Sequence, residues 1–199
     1  MEPQTFVFFG RSGCGKGTQA KLLIEKLSKK DKTLSVIYIE TGKLIRDFIA
    51  NNVGFTRDLV KDLYDKGGLQ PEFVPVSLWA DYLIKNMTPQ SHVVCDGVAR
   101  RPAEATIFDS TMKFYGRNIP HIIFIDVTPE WATERLLGRG RSDDDGEEIR
   151  KRMSWFDENV MPSIRFFENN KDYHFHNIKG GKSIEEVHAD IIKTVDLSL

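Results

Sequence analysis

The stretch Phe6-Val7-Phe8-Phe9-Gly10-Arg11-Ser12-Gly13-Cys14-Gly15-Lys16-Gly17-Thr18-Gln19 constrains this chain more than any other. Four successive apolar residues, too few for a helix, predict a buried strand, which breaks into a glycine-rich turn and then a helix starting near Lys16. That layout is a phosphate cradle. The glycines let successive backbone N–H groups turn toward one anion, and the helix start adds the positive end of its dipole. The Lys16 ammonium then reaches the β- and γ-phosphates of a nucleotide. The match to G-x-x-x-x-G-K-[ST] is incomplete, because Gly17 stands where Ser or Thr would follow the lysine and Thr18 comes one place later. Direct metal ligation by a hydroxyl of this loop is therefore left open. A flexible linker would explain the glycines but neither the strand ahead of them nor the amphipathic helix behind.

With 199 residues, 40% hydrophobic and 29% charged, the chain suits one globular domain with a substantial core. A net charge of -1 gives no global attraction for nucleic acid or an acidic membrane, so neither is an expected partner and any anion site must be local. The apolar run 121–125 is far below membrane-spanning length, and no signal-peptide pattern opens the sequence. A cytoplasmic home is expected. Cys14 and Cys95, with no C-x-x-C, predict neither a disulfide framework nor a zinc knuckle. Cys95 reads as core, and Cys14 as a loop residue without a catalytic role.

Beyond the cradle, strands are predicted at 34–39, 93–97, 121–127 and about 173–178. Between them fall helices. Thr41 is expected to N-cap one that carries Leu44, Ile45, Phe48 and Ile49. Another spans 56–66, and Pro71 is expected in the first turn of the next, which carries Val74, Leu78, Tyr82 and Leu83. Further helices cover about 103–115, Pro129 to near Gly138, and a long segment with Ile149, Met153, Phe156, Val160, Ile164 and Phe167, kinked at Pro162. The last begins at Ser183. The segment 139–146 has no apolar anchor and is expected to be a mobile, solvent-facing loop. Strands alternating with helices predict an α/β three-layer sandwich with a mostly parallel five-stranded sheet and ligands at the carboxyl ends of the strands.

Arg46, Arg100, Arg135, Arg139, Arg141 and Arg152 fall just after strand ends or beside the 139–146 loop, where bidentate contacts to a second phosphate ligand are their expected use. Arg11, Arg57, Arg117 and Arg165 read as solvated surface charge.

These motifs together resemble the adenylate kinases, within the nucleoside monophosphate kinases of the P-loop class. GRSGCGKGTQ is similar to the family's loop, in which glycine also follows the lysine, and TGKLIR to its monophosphate-side motif TGDLLR, with KGGLQP as the companion turn. CDGVARRPAEA is like the DGFPR segment, RLLGRGRSDD like the lid, and EEIRKRM like the start of the following helix. The resemblance spans almost the whole length. It implies one domain over 1–199, with a core at 1–39, 71–137 and 147–199, a monophosphate-binding segment at 40–70 and a short lid at 138–146.

By the same resemblance ATP would lie on Gly13, Cys14, Gly15, Lys16, Gly17, Thr18, Arg135 and Arg139, with its adenine near Lys182. AMP would meet Thr41, Arg46, Gly68, Leu69, Gln70, Gly97, Val98, Ala99, Arg100, Glu104, Arg141 and Arg152. Lys16, Arg100, Arg139, Arg141 and Arg152 would stabilise the transferring phosphoryl group, and Asp96 would orient Mg²⁺ through water. The implied reaction is reversible Mg-dependent transfer from ATP to AMP, giving two ADP. The lid carries no cysteine, so no structural zinc is expected, and the default state is a monomer.

The sequence departs from the pattern at the acceptor base. Glu104 stands where the family has a glutamine, and an ionised glutamate accepts without donating, a mismatch to adenine that would suit guanine better. Gln70 replaces an apolar residue, and Val98-Ala99 replace Phe-Pro. A kinase for CMP, UMP or GMP is therefore the alternative acceptor reading. A nucleotide-binding switch is the alternative of another class, although no N-K-x-D motif is present.

Overall fold

β1 (Thr5–Phe9) has no polar face, and the fold explains why. In the computed structural model, which describes residues 2–117, 119–139 and 146–197, the strand order is β2-β3-β1-β4-β5, with β1 at the centre. β2 is Ser35–Glu40, β3 Ser91–Asp96, β4 His121–Asp126 and β5 His174–Lys179. All four pairings are parallel, so the sheet expected to be mostly parallel is wholly so. Val7 and Phe9 point into a core with Trp79, Phe108, Phe156 and Phe167, whereas Phe6 and Phe8 point into another with Leu23, Leu27 and Ile191. A strand covered on both faces reads as an unbroken apolar run.

The helices are α1 (Lys16–Lys30), α2 (Thr41–Asn51), α3 (Phe55–Asp65), α4 (Phe73–Asn86), α5 (Pro102–Phe114), α6 (Pro129–Arg139), α7 (Gly146–Trp155), α8 (Met161–Glu168) and α9 (Ile184–Thr194). α2 and α3 form an arm, held by a small core of Ile45, Val60 and Val74. Ser183 caps α9 in a reciprocal capping box with Glu186. No described helix is long and apolar enough to cross a membrane.

Several local expectations are corrected. The N-cap of α2 is Glu40; Thr41 is already helical, and its hydroxyl is buried without a partner. Pro71 precedes α4, whose N-cap is Glu72, and its carbonyl accepts the Val74 N–H at 3.0 Å. The long helix is divided by a π turn, Phe156–Val160, rather than bent within one helix. Pro162 has no N–H to give the Glu158 carbonyl, and the Met161 N–H reaches five residues back to Phe156.

Three arginines expected in solvent are engaged. Arg117 donates to the Ser91 carbonyl at 2.6 Å, Arg57 to the Ile49 carbonyl at 3.0 Å, and Arg11 makes the contacts described below. Arg165 is exposed, as expected. Most of the expected mobile loop and lid, with Arg141, lies outside the described residues, as does the Arg139 side chain.

Candidate active site

The carboxyl ends of β1, β2 and β3 open into a cleft of about 980 Å³, walled by the glycine loop, the α2–α3 arm, α6 and α7. The loop's shape is enforced by contact. Gly10 and Gly13 have φ of 146° and 88°, and a Cβ on them would meet the Ile125 carbonyl oxygen at 2.6 Å and that of Ala132 at 2.7 Å. Only glycine lets this loop pass between β4 and α6. Gly13, Gly15, Lys16, Gly17 and Thr18 all line the cleft. Lys16 Nζ donates to the Gly10 and Arg11 carbonyls at 2.7 and 3.0 Å, which places the ammonium over the loop. Cys14 is buried, and burial pushes its thiol pKa up despite the nearby Lys16 ammonium, consistent with an unreactive packing residue.

Arg11 extends from this loop to the π turn. Its guanidinium makes a bidentate pair with Asp157 at 2.7 and 3.1 Å and lies 4.5 Å from the centroid of the Phe156 ring. The neighbouring Trp155 donates its indole N–H to the Gly67 carbonyl at 3.1 Å and carries Arg100 over its ring at 5.9 Å. Consecutive residues 155–157 thus tie the glycine loop, the turn at the end of the arm and Arg100 to one short segment of helix.

On α2, Arg46 pairs with Glu40 at 2.8 Å, beside Gly42 and Tyr64, which line the cleft. Arg100 and Arg152 line the opposite wall, and Arg152 is 8% exposed. Burial lowers the Arg100 pKa against the pull of Asp96 and Glu104. Arg100 Nε holds the Gly97 carbonyl at 3.0 Å, and the Ser163 hydroxyl donates to the Ala99 carbonyl. That anchorage stabilises Ala99 at a left-handed φ of 52°, a conformation costing on the order of 1 kcal/mol for a residue with a Cβ. Val98 and Ala99 are fully buried in the core, so only their backbone can face the cleft. Leu69 is half-buried beside Gly68.

Glu104 and Gln70 correct the sequence reading most sharply. Glu104 is 1% exposed, and its Oε2 accepts the Arg100 N–H at 3.0 Å. Burial raises its pKa to about 7, against the lowering effect of that N–H and of Arg100 and Arg101, so at neutral pH it is not the fully ionised acceptor that the sequence suggests. Gln70 is also buried and gives its amide N–H to the Val60 carbonyl at 2.9 Å, tying the turn after α3 to the middle of that helix. Neither side chain lines the cleft; Gly67 and Gly68 do.

On α6, Arg135 lies 5.0 Å from the centroid of the Trp131 ring, and both line the cleft. Their i, i+4 spacing is the sequence signal for this pairing. No such signal links Arg11 to Asp157, 146 positions apart. Lys182 is not brought into the cleft; it lies just before α9 and pairs at 2.7 Å with Asp190 in the second half of that helix. Asp96 ends β3 and lines the cleft, with its Oδ2 3.3 Å from where a Cβ on Gly17 would lie. Among the described residues, no group of three or more His, Cys, Asp or Glu is arranged to hold a metal ion.

The sequence model of the family described as Adenylate kinase matches residues 8–172. The adenylate kinase of Flavobacterium psychrophilum is 31% identical over 186 residues, covering 91% of this chain and 92% of that protein. That of Leuconostoc mesenteroides is 28% identical over 193 residues, 97% of each chain. Adenylate kinase 1 of Synechocystis sp. is 30% identical over 190 residues, 95% of each. The matched region contains the glycine loop, the arm, Asp96, Arg100, α6 and α7, so the loops that build the cleft are those the family model describes, and the chain belongs to the adenylate kinase family.

Proposed function

We propose how this cleft divides the work of the family's reaction, transfer of the terminal phosphoryl group of ATP to AMP to give two ADP. One observation carries the reading: a backbone phosphate cradle with its lysine faces two half-buried or buried arginines, Arg100 and Arg152, across one cleft. A single nucleotide needs only the cradle; the second set of cations fits a second phosphate ester.

In this reading residues 13–18 hold the ATP phosphates, and Trp131 with Arg135 supports the donor nucleoside near the turn that carries Lys182. Arg139 and Arg141, from the proposed lid 138–146, close over the transferring group. Thr41 and Arg46 from the arm segment 40–70, with Gly68, Leu69 and the 97–100 loop, hold AMP. Lys16, Arg100 and Arg152 spread positive charge around the phosphoryl group in flight, and alignment with charge stabilisation supplies the catalysis. No general base is required.

The residues at the start of α1 fit magnesium. The absent Cβ of Gly17 leaves space against the Asp96 carboxylate, which would hold the ion through its water shell. Bound there with ATP, the ion would neutralise β- and γ-phosphate charge.

Glu104 and Gln70 act as supports, Glu104 fixing the Arg100 backbone and Gln70 the arm. The clash that an ionised Glu104 would present to adenine therefore does not stand against AMP. The reading extends to a zinc-free monomer in the cytoplasm with no nucleic-acid or membrane partner. One zinc per chain by elemental analysis would overturn the zinc-free lid.

The test incubates the protein with Mg-ATP and, separately, AMP, CMP, UMP, GMP and dAMP, following diphosphate formation beside a Lys16→Ala control. AMP preference lost in the control is expected. Preference for another base would move the acceptor assignment. No transfer to any acceptor would favour a nucleotide switch.

A further inference from the structure

We infer that the Tyr38 hydroxyl completes the water cage of the nucleotide's magnesium ion, supplying from β2 the hydroxyl that this glycine loop lacks after its lysine. The inference rests on the magnesium reading of the cleft given above.

Parallel register puts Tyr38 beside Val94 and Glu40 beside Asp96. Because side chains alternate along a strand, these residues share one face at the carboxyl edge of the sheet, the face that α1 covers. A Cβ built on Gly17, in the first turn of α1, would lie 3.3 Å from Asp96 Oδ2 and 4.0 Å from Tyr38 Oη. The carboxylate and the phenol therefore converge on the space beside the one residue whose side chain is missing from the phosphate-loop motif.

The Tyr38 oxygen is buried and makes no hydrogen bond. A hydroxyl taken from water without a partner is a net cost, so a buried orphan calls for an occupant. The chemistry of the surroundings selects that occupant. Waters bound to a divalent cation point their protons outward, so a group touching them must accept. A phenol oxygen accepts such a proton while its own O–H turns to a carboxylate. A serine at position 17 could not replace it without displacing Asp96, whose oxygen sits at the limit of contact.

The experiment measures binding of a non-hydrolysable ATP analogue, AMPPNP, by titration calorimetry with and without Mg²⁺, to the unmodified chain and to Tyr38→Phe. Removing the orphan hydroxyl leaves the ring in place, so the variant is expected to melt at or above the temperature of the unmodified protein. The ratio of affinities with and without Mg²⁺ is expected to fall about threefold to tenfold in Tyr38→Phe, while metal-free affinity stays the same. Paramagnetic resonance of Mn²⁺–AMPPNP bound to the two proteins gives a second readout, with a changed line shape expected in the variant. An unchanged ratio and line shape, or an equal loss with and without metal, would overturn the role of Tyr38 and leave the ATP site standing. Failure of AMPPNP to bind the unmodified protein would overturn both.

Discussion

The glycine loop and the loop 97–100 both face phosphate in the proposed reaction, yet they are built on opposite principles. The first is made of backbone: its N–H groups are the intended contacts, and Gly10 and Gly13 admit no side chain because carbonyls of β4 and α6 occupy the space. The second is made by outside support. Glu104 holds the Arg100 N–H, Ser163 holds the Ala99 carbonyl, and Ala99 keeps a left-handed φ that its own sequence does not favour. A site written in backbone needs only a short run of residues. A site propped by side chains depends on positions far along the chain.

The sharpest way to break that comparison is to remove the one side chain on which the backbone cradle relies. Lys16→Ala should lower kcat/KM by about 10²–10⁴ in a coupled assay, without a comparable loss of fold stability. A loss below tenfold would mean that the cradle needs no lysine.

Ser163→Ala tests the other principle. It should cost about 1–3 kcal/mol in denaturant titrations and raise the KM for AMP while that for ATP holds. Equal rises in both would show that the two loops are not supported independently.

Glu104→Gln sharpens the contrast through pH. A carboxyl whose pKa is raised to about 7 in the folded protein, against about 4.5 unfolded, binds more protons when folded, so its contribution to stability falls as pH rises from 4.5 through 7. The variant should lose that slope and gain about 1–2 kcal/mol relative to the parent at pH 8. His121 gives an opposite slope: burial, with His176 and His174, depresses its pKa to about 4, so stability is lost as pH falls from 6.5 toward 4. Comparing parent and variant at each pH cancels this term.

The smallest effect is expected from Asp157→Asn, which removes one charge of the Arg11 pair. Asp157 is 55% exposed, so the pair contributes about 0.5–1 kcal/mol, and the KM for ATP should rise by about threefold. A larger rise in the KM for AMP would place the role of Arg11 on the acceptor side instead.

What could be read from the sequence follows the same division. β1, the glycine turn, Lys16 and the alternation of strand with helix are local patterns, and each is present in the structure. Arg100 and Asp96 reach the cleft because strand ends converge there in any parallel sheet of this kind, and Arg152 reaches it from the last turn of α7. Glu40, not Thr41, caps α2, because composition alone does not decide which of two adjacent residues turns helical first. Arg11 reads as a surface charge in the sequence because its partner lies 146 positions away. The state of Glu104 is set by burial, which no neighbouring residue announces.

The π turn before Pro162 carries one residue more than an α-helical turn would. Each residue advances a helix by about 100° around its axis, so the extra one sets the azimuth of α7 relative to α8. Ile164 and Phe167 stay aimed at the sheet core while Arg152 and Trp155 are aimed at the cleft. Deleting a single residue between 156 and 160 would restore a regular helix and swing Arg152 about 100° out of phase with the site. The proline thereby acts as an angular index mark, fixing which side of one helix belongs to the core and which to the chemistry.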